Sequence, residues 1–187
     1  MICKTTVTTK NIDINPQDIT SVTVTSDNTA TVNKSRVSKT EIKLATVDEM
    51  LAEAQTLFDE HYDEIARNKH VMVLKPDEVT YRKSEEMGTL FILSARQDDK
   101  LIGYSVNFIT NHLHYVDLKV AQNDLLFISK EHRGGRLGLR LIRETETHAA
   151  SLGCKLMVWH AKENTTLAAI LPKLKYGVQE IMFSKEL

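Results

Sequence analysis

A polar loop that carries glycines, set between an apolar run and an arginine-rich segment, is the part of the sequence best suited to chemistry. The apolar run spans residues 125–128, and Gly134, Gly135 and Gly138 follow it within a few positions. A strand, a glycine loop and a helix in this order can hold a phosphorylated ligand, because the first N–H groups of a helix have no partner and glycines let an anion approach the backbone. The segment therefore predicts a phosphate-binding site.

The arginines that follow the loop give this prediction a second argument. Arg136, Arg140 and Arg143 lie on one side of the predicted helix. Positive charge in a first helical turn opposes the helix dipole at a cost of roughly 0.3–1 kcal/mol, which a bound phosphate beside Arg136 would offset. A solvated face with an ion pair from Arg140 to Glu144 is the alternative. We favour a phosphate role for Arg133 or Arg136 and a plain surface role for Arg143.

The elements that must position this loop predict a mixed α/β (α+β) fold. The predicted order is strand 39–45, a helix with apolar positions from Val47 to Ile65, a second helix that Pro76 opens and Gly88 closes, strands 89–95, 101–109 and 123–129, helix 136–151, strand 155–160, helix 164–171 and strand 179–184. Thr46 and Glu49 have the spacing of a capping box at the start of the first helix.

The composition changes near residue 40. Residues 1–38 are rich in threonine and form an N-terminal extension, whereas residues 39–187 read as one domain. Alternating residues around Asp27 and Asn28 indicate a β-hairpin in the extension. A poorly ordered polar arm is the alternative. In either form the extension is a candidate contact between copies, so a homodimer stays open.

Charge and cysteine content exclude several classes of protein. The 187 residues carry a net charge of -1, which gives no reason to expect general affinity for nucleic acid or membranes. Cys3 and Cys154 are far apart, and no cysteine–histidine cluster has the spacing of metal ligands. No apolar run reaches the length of a membrane-spanning helix. We therefore expect a reduced, cytoplasmic protein without a metal.

Residues 39–187, most clearly from Asn123 onward, resemble the GNAT superfamily of N-acetyltransferases. The superfamily's acetyl-CoA signature is Arg/Gln-x-x-Gly-x-Gly/Ala, and the sequence Arg-Gly-Gly-Arg-Leu-Gly at residues 133–138 fits its first and last positions. Arg136 stands where the central glycine is usual, and Gly135 comes one residue early. The His-Arg-Gly-Gly-Arg loop and the sequence Trp-His-Ala-Lys at residues 159–162 also look like those of small acetyltransferases from bacteriophages, which would act in the host cytoplasm.

The resemblance implies acetyl-CoA as the cosubstrate. In that fold the pyrophosphate of CoA lies on the backbone N–H groups of the loop, and the pantetheine arm enters where the fourth and fifth core strands splay apart. The cofactor-binding residues that the resemblance implies are Phe127, Ile128, Ser129, Arg133, Gly134, Gly135, Arg136, Leu137, Gly138 and Asn164.

Acetyl transfer to an amine needs a base for the amine, stabilisation of the thioester oxygen and a proton for the leaving thiolate. The resemblance points to a carboxylate on or near the fourth strand as base, and we predict Asp124, with a plain polar strand entry as the alternative. His160, at a strand end, is predicted to act as acid or base; a structural hydrogen bond is the alternative. Leu171 stands where many members have an acidic tyrosine, and we expect Tyr176 to be core packing.

The acceptor side in this fold lies mostly on the first two helices. Asp59, Glu60, Asp63 and Glu64 would suit a cationic amine, or they form an exposed helix face. Trp159 lines the acceptor pocket or fills the core. We interpret the chain as an acetyl-CoA-dependent N-acetyltransferase whose acceptor is a primary amine of a protein or a small molecule. A catalytically inactive GNAT-fold protein that binds CoA or has a structural role, and a phage relative that modifies nucleobases, are the alternatives.

Overall fold

The structure is a computed structural model that describes residues 19–24, 30–34 and 38–186. The chain divides into two compact units, and the boundary falls between Lys39 and Thr40. In the first unit, β1 (Ile19–Val24) and β2 (Ala30–Lys34) pair antiparallel, with Val24 opposite Ala30. These are strands that the alternating pattern predicts, and the predicted turn at Asp27 and Asn28 lies outside the described residues.

A five-stranded mixed sheet is the centre of the second unit. Its strands are β3 (Thr40–Ala45), β4 (Leu90–Gln97), β5 (Lys100–His112), β6 (Tyr115–Ile128) and β7 (Leu156–Trp159). They lie side by side in this order, and each neighbouring pair is antiparallel except β6 and β7, which are parallel. A parallel pair needs a long crossover connection, and a helix between β6 and β7 provides it. The predicted mixed α/β fold class is confirmed.

Five α-helices accompany the sheet among the described residues. They are α1 (Val47–Glu53), α2 (Gln55–Ile65), α3 (Glu78–Glu86), α4 (Leu137–Ser151) and α5 (Thr166–Ile170). The predicted capping box at the start of α1 is confirmed: Thr46 Oγ1 accepts from the Glu49 N–H at 3.1 Å, and Glu49 Oε2 accepts from the Thr46 N–H at 2.8 Å.

Two of the predicted helix boundaries are wrong. The single helix from Val47 to Ile65 is divided at Ala54, which is fully buried, has φ −92° and ψ 0°, and separates α1 from α2. Pro76 does not open α3, because Asp77 is its N-cap and accepts from the Thr80 N–H at 3.1 Å. An aspartate satisfies a free N–H group at a helix start, which proline at that position cannot do.

The predicted last strand is also wrong. Residues 179–184 form no strand, and their large apolar side chains, such as Ile181, Met182 and Phe183, are more than 70% exposed. An alternating or apolar sequence becomes a strand only where its backbone pairs with the edge of another strand, and residues 179–184 pair with none of the described strands. Within the described residues, the short β7 pairs on one side with β6 and with nothing on the other.

The sheet has a helix layer on each face. Ile92, Tyr104 and Phe127 pack with α1 and α2, whereas Phe91 and Leu93 pack with α4. Side chains of a strand alternate between the two faces, so consecutive residues of β4 serve different layers. The face toward α1 and α2 is the one that carries the site described below.

Gly103 allows β5 and β6 to approach each other closely. It lies opposite Ile128, and a Cβ atom on it would come within 2.7 Å of the Phe127 carbonyl oxygen. We expect Gly103→Ala to lower the free energy of unfolding by about 1–3 kcal/mol, because overpacking in a buried sheet forces backbone shifts. Urea denaturation followed by circular dichroism measures it.

Gly177→Ala is the matched control, since a Cβ atom there would meet nothing within 4 Å. Equal stability of the two variants would contradict the close approach at Gly103.

Candidate active site

Strand β6 loses its second partner halfway along its length. It pairs with β7 only over residues 120–123, but it continues along β5 to Ile128. At the same place the register on β5 shifts, so that Val106 lies opposite Leu125 and Asn107 opposite Asn123. Asp124 is the extra residue of this β-bulge. A bulge turns a side chain away from the regular alternation, and bulges often lie beside active sites.

Hydrogen bonds between buried polar side chains of β5, β6 and α4 stabilise the bulge. Asn123 Nδ2 donates to Asn107 Oδ1 at 2.9 Å and to the Leu125 carbonyl at 3.0 Å. Thr145 of α4 lies 3.0 Å from Ser105 of β5 through their hydroxyl oxygens. Because buried polar groups are costly when unpaired, this network holds β5, β6 and α4 in one arrangement.

The loop after β6 presents a run of free backbone N–H groups. From Gly134 to Leu139 no N–H donates a hydrogen bond to any described residue, and Arg136, the N-cap of α4, offers no side-chain cap. Gly134 has φ +89°, which a residue with a side chain adopts at a cost, and a Cβ atom on Gly135 would meet nothing within 4 Å. Free N–H groups and an open approach suit an anion such as a phosphate.

Helix α2 holds this loop through two carboxylates. Glu64 accepts from Arg133 Nη1 and Nη2 at 2.8 and 2.9 Å, and Glu60 accepts from the Lys130 N–H at 3.0 Å. Arg133 also donates from Nε to the Ile128 carbonyl at 2.7 Å. The hydrogen bond from Arg133 holds the pKa of Glu64 below its usual value, so the pair is charged at neutral pH.

The acidic cluster therefore contacts groups of the chain itself. Besides Glu60 and Glu64, Asp63 accepts from Lys69 Nζ at 3.0 Å. Arg133, which we favoured with Arg136 as a phosphate ligand, has its guanidinium committed to Glu64.

The other residues that the resemblance implies for the cofactor have different environments. Phe127 is buried and stacks on His61 with 4.6 Å between ring centroids. Ser129 Oγ lies 2.7 Å from His132 Nδ1, and Asn164, with φ +63°, precedes α5. Phe127 and Ser129 thus contact groups of the chain itself, and the cofactor roles of all three residues stay predictions.

Arg136 and Arg140 have no ion pair with any described residue. In particular, the alternative pair from Arg140 to Glu144 is not formed. Both guanidinium groups are thus free to meet an anion near the start of α4.

A cavity of about 490 Å³ lies between α1, α2, α3 and the sheet. Most of its wall is apolar, and its uncharged polar groups include His61, Tyr81 and Tyr104. The volume is that of a site for a small molecule. Trp159 does not line this cavity; its ring packs edge-on against Tyr176 at 6.4 Å.

His61 and Tyr104 form a buried pair in the cavity wall. His61 Nδ1 lies 2.7 Å from the Tyr104 hydroxyl, and both residues are at least 95% buried. Burial lowers the pKa of His61 to about 4, although Glu64 opposes the shift, so the imidazole is neutral at pH 7. The sequence prediction missed His61, yet its spacing from Phe58 and Ile65 placed it on the inner face of the helix.

Asp124, the predicted base, accepts from the hydroxyl of Tyr81 at 3.2 Å. Burial first, and the Asp124 carboxylate second, raise the pKa of Tyr81 to about 12. The phenol therefore stays protonated at neutral pH and continues to donate to the carboxylate. Tyr81 was absent from the sequence prediction, because two residues that lie 43 positions apart give no local signal.

His160 and Tyr176 have hydrogen-bond partners other than Asp124. His160 Nε2 lies 3.0 Å from Gln122 Nε2, so Asp124 and His160 share no partner. Leu171 is buried, and the hydroxyl of Tyr176 donates to Glu146 at 2.6 Å. Tyr176 is half-buried and belongs to neither core cluster, so its assignment to core packing stays a prediction.

Two further features of the described residues bear on function. No helix among them is both long enough and apolar enough to cross a membrane. They contain no group of three or more His, Cys, Asp or Glu side chains that could hold a metal ion.

Comparison with known proteins identifies the family. The model of the acetyltransferase (GNAT) family matches residues 49–172. The chain belongs to this family, and acetyltransferase is the general class that its fold and loop define. A search of curated proteins found no match.

Solved structures share the fold at low sequence identity. A ribosomal-protein-alanine N-acetyltransferase from Brucella melitensis biovar Abortus 2308 is 16% identical with a TM-score of 0.60, covering 79% of this chain and 99% of that one. An aminoglycoside acetyltransferase from an uncultured soil metagenomic sample, in complex with sisomicin, is 14% identical with a TM-score of 0.63, covering 79% and 96%. Glucosamine-6-phosphate N-acetyltransferase from Arabidopsis thaliana is 13% identical with a TM-score of 0.58, covering 79% and 98%.

The neutral state of His61 gives a prediction for the pH dependence of stability. The unfolded chain takes up this proton near pH 6.5, whereas the folded chain takes it up only near pH 4. Protonation therefore favours the unfolded state as the pH falls from about 6.5 towards 4. We expect the difference in the free energy of unfolding between the wild type and His61→Gln to be constant above pH 6.5. Below pH 6.5 the wild type should lose stability relative to His61→Gln.

Urea denaturation of both proteins across this range measures the difference, and the imidazole carbon shifts of labelled histidine report the titration directly. A stability difference that does not change with pH would contradict a buried, neutral His61.

Proposed function

We propose that the chain is an acetyl-CoA-dependent N-acetyltransferase that transfers an acetyl group to a primary amine of a protein or a small molecule. The observation that carries this proposal is the run of free N–H groups from Gly134 to Leu139, in the loop after β6 and at the start of α4. Family membership supports the same reading.

The residues present fit the cosubstrate. The loop offers free donors and open space at Gly134 and Gly135, and Arg136 and Arg140 add positive charge without a partner of their own. Among the described strands, none lies beside β6 beyond Asn123 on the β7 side, so the backbone groups of that edge can pair with the amides of a pantetheine arm. Bound acetyl-CoA supplies a thioester whose carbonyl carbon a free amine can attack.

The protein's part in the chemistry is to deprotonate and position the acceptor. Asp124 accepts the proton that the ammonium group of the acceptor must lose before attack. Tyr81, which lines the cavity, donates to Asp124 and so holds the carboxylate in one orientation beside the cavity wall. The apolar cavity wall excludes water and favours the uncharged amine. His160 and Asn164 remain predicted contributors, to proton transfer and to pantetheine binding respectively.

A charge test at Gly135 addresses the loop. Gly135 has open space and no positive φ, so a side chain there does not strain the fold. We expect Gly135→Asp to weaken acetyl-CoA binding at least about tenfold relative to Gly135→Asn, which has the same size without the charge. Calorimetric titration with acetyl-CoA measures both affinities, and equal affinities would place the phosphates elsewhere.

A kinetic test at Asp124 addresses the base. We expect Asp124→Asn to lower kcat by about 10²–10⁴-fold at neutral pH, because the acceptor must then lose its proton to water. The rate of this variant should recover as the pH approaches the pKa of the acceptor amine, and acetyl-CoA affinity should not change. Tyr81→Phe should give a smaller fall, since it removes only the hydrogen bond that orients Asp124.

Release of free thiol from acetyl-CoA, followed with a colorimetric reagent over a panel of amines, reports the rate. An Asp124→Asn variant that is as active as the wild type would remove this residue from the mechanism.

A protein that binds CoA without turnover is the second candidate. It is favoured by Leu171, which is buried at the position where many members of the family have their tyrosine. Binding of acetyl-CoA with no thiol release on any amine would select it.

A further inference from the structure

The charged groups of the cavity wall all have the same sign. Arg67, Lys75 and Lys162 line the cavity, and no aspartate or glutamate does. Asp124 does not line the cavity itself but accepts a hydrogen bond from Tyr81, which does. A cavity built for an acceptor with several positive charges would need carboxylates in its wall, and this wall has cations instead.

Two of these cations lie where α2 meets the segment after β7. Lys162 Nζ donates to the Ile65 carbonyl at 2.6 Å, and Arg67 Nη2 donates to the Glu163 carbonyl at 3.3 Å. Neither has a carboxylate partner within the described residues. Burial first, and the nearby positive charge of Arg67 second, lower the pKa of Lys162, which is consistent with the two cations lining the same part of the cavity.

Three carboxylates of α2 are already paired with other groups of the chain. Glu64 is held by Arg133, Glu60 by the Lys130 N–H and Asp63 by Lys69. Because no described carboxylate pairs with Arg67 or Lys162, both cations can bind the anionic group of a ligand.

The rest of the cavity wall is apolar and would contact an apolar part of the ligand. Met50, Leu51, Phe58, Ile92, Val106 and Leu125 surround the interior of the cavity. Apolar walls with a few convergent polar groups are typical of sites that bury a small molecule and fix its orientation through one charged group. Arginine in particular binds a carboxylate through two parallel hydrogen bonds.

From this arrangement we infer that the acceptor is a small amine that carries a carboxylate and an apolar side group, with the carboxylate bound between Arg67 and Lys162. This inference rests on the proposed acetyltransferase function. A polyamine or another acceptor with several positive charges is disfavoured by the same two residues.

Binding of matched amines without acetyl-CoA tests the inference. The probes are phenylalanine, leucine and methionine, each with its amide, together with spermidine, titrated into the full-length chain by calorimetry or saturation-transfer NMR. We expect at least one amino acid to bind about tenfold or more tightly than its amide, because a hydrogen-bonded charge is lost in the amide. Spermidine should bind more weakly than either.

Variants of the two cations locate the effect. Arg67→Met and Lys162→Met keep most of the side-chain volume and remove the charge, so each should reduce the preference for the acid over the amide several-fold. Lys173→Met is the matched control, because Lys173 is exposed and does not line the cavity, and it should leave the preference unchanged. Circular dichroism of each variant verifies folding.

The inference is overturned if no amino acid binds more tightly than its amide, if spermidine binds best, or if the preference survives in both Arg67→Met and Lys162→Met. Because the measurement omits acetyl-CoA, its failure is distinct from failure of the proposed function, which the acetyl-CoA titration and the thiol assay report.

Discussion

The structure depends on one constraint: β6 cannot keep a partner on both edges along its whole length. It pairs with β5 as far as Ile128, but β7 accompanies it only over residues 120–123. The extra residue at Asp124 absorbs the change of register, and the polar network around Asn123 stabilises it. The open edge, the direction of the Asp124 side chain and the position of the following loop all result from this departure from regular pairing.

Electrostatic contacts between residues distant in sequence then fix the position of the loop after β6. The Glu64–Arg133 pair and the bond from the Lys130 N–H to Glu60 join α2 to the loop, while the free N–H groups from Gly134 onward stay available. The carboxylates thus restrain the loop at Lys130 and Arg133 and leave the N–H groups from Gly134 onward free. A pair of this kind contributes little stability where water reaches it, but a bidentate arginine–carboxylate contact defines geometry well.

The interior of the cavity separates two kinds of polar group. His61 and Tyr104 are buried and neutral, because ionising either one away from water is unfavourable. Arg67 and Lys162 keep their charges at the boundary with the segment after β7 and satisfy them only with backbone carbonyls. An acceptor with one apolar end and one anionic group requires a cavity of this kind, in which most of the wall is apolar and neutral and Arg67 and Lys162 supply positive charge. The names of two solved structures with this fold point to acceptors as different as a ribosomal protein and an amino sugar phosphate. The fold alone therefore does not determine the acceptor.

The sequence by itself determined the features that neighbouring residues control. The capping box of Thr46 and Glu49, the strand–glycine loop–helix order at residues 125–138 and the mixed α/β class follow from signals within a few positions of one another. Only the tertiary structure decided which distant groups meet, since Glu64 and Arg133 lie 69 positions apart and His61 and Tyr104 lie 43 positions apart, and no local pattern links residues at such separations. The same reason explains the wrong strand at residues 179–184: local alternation gives a segment the capacity to be a strand, but a partner edge elsewhere in the fold decides whether it becomes one.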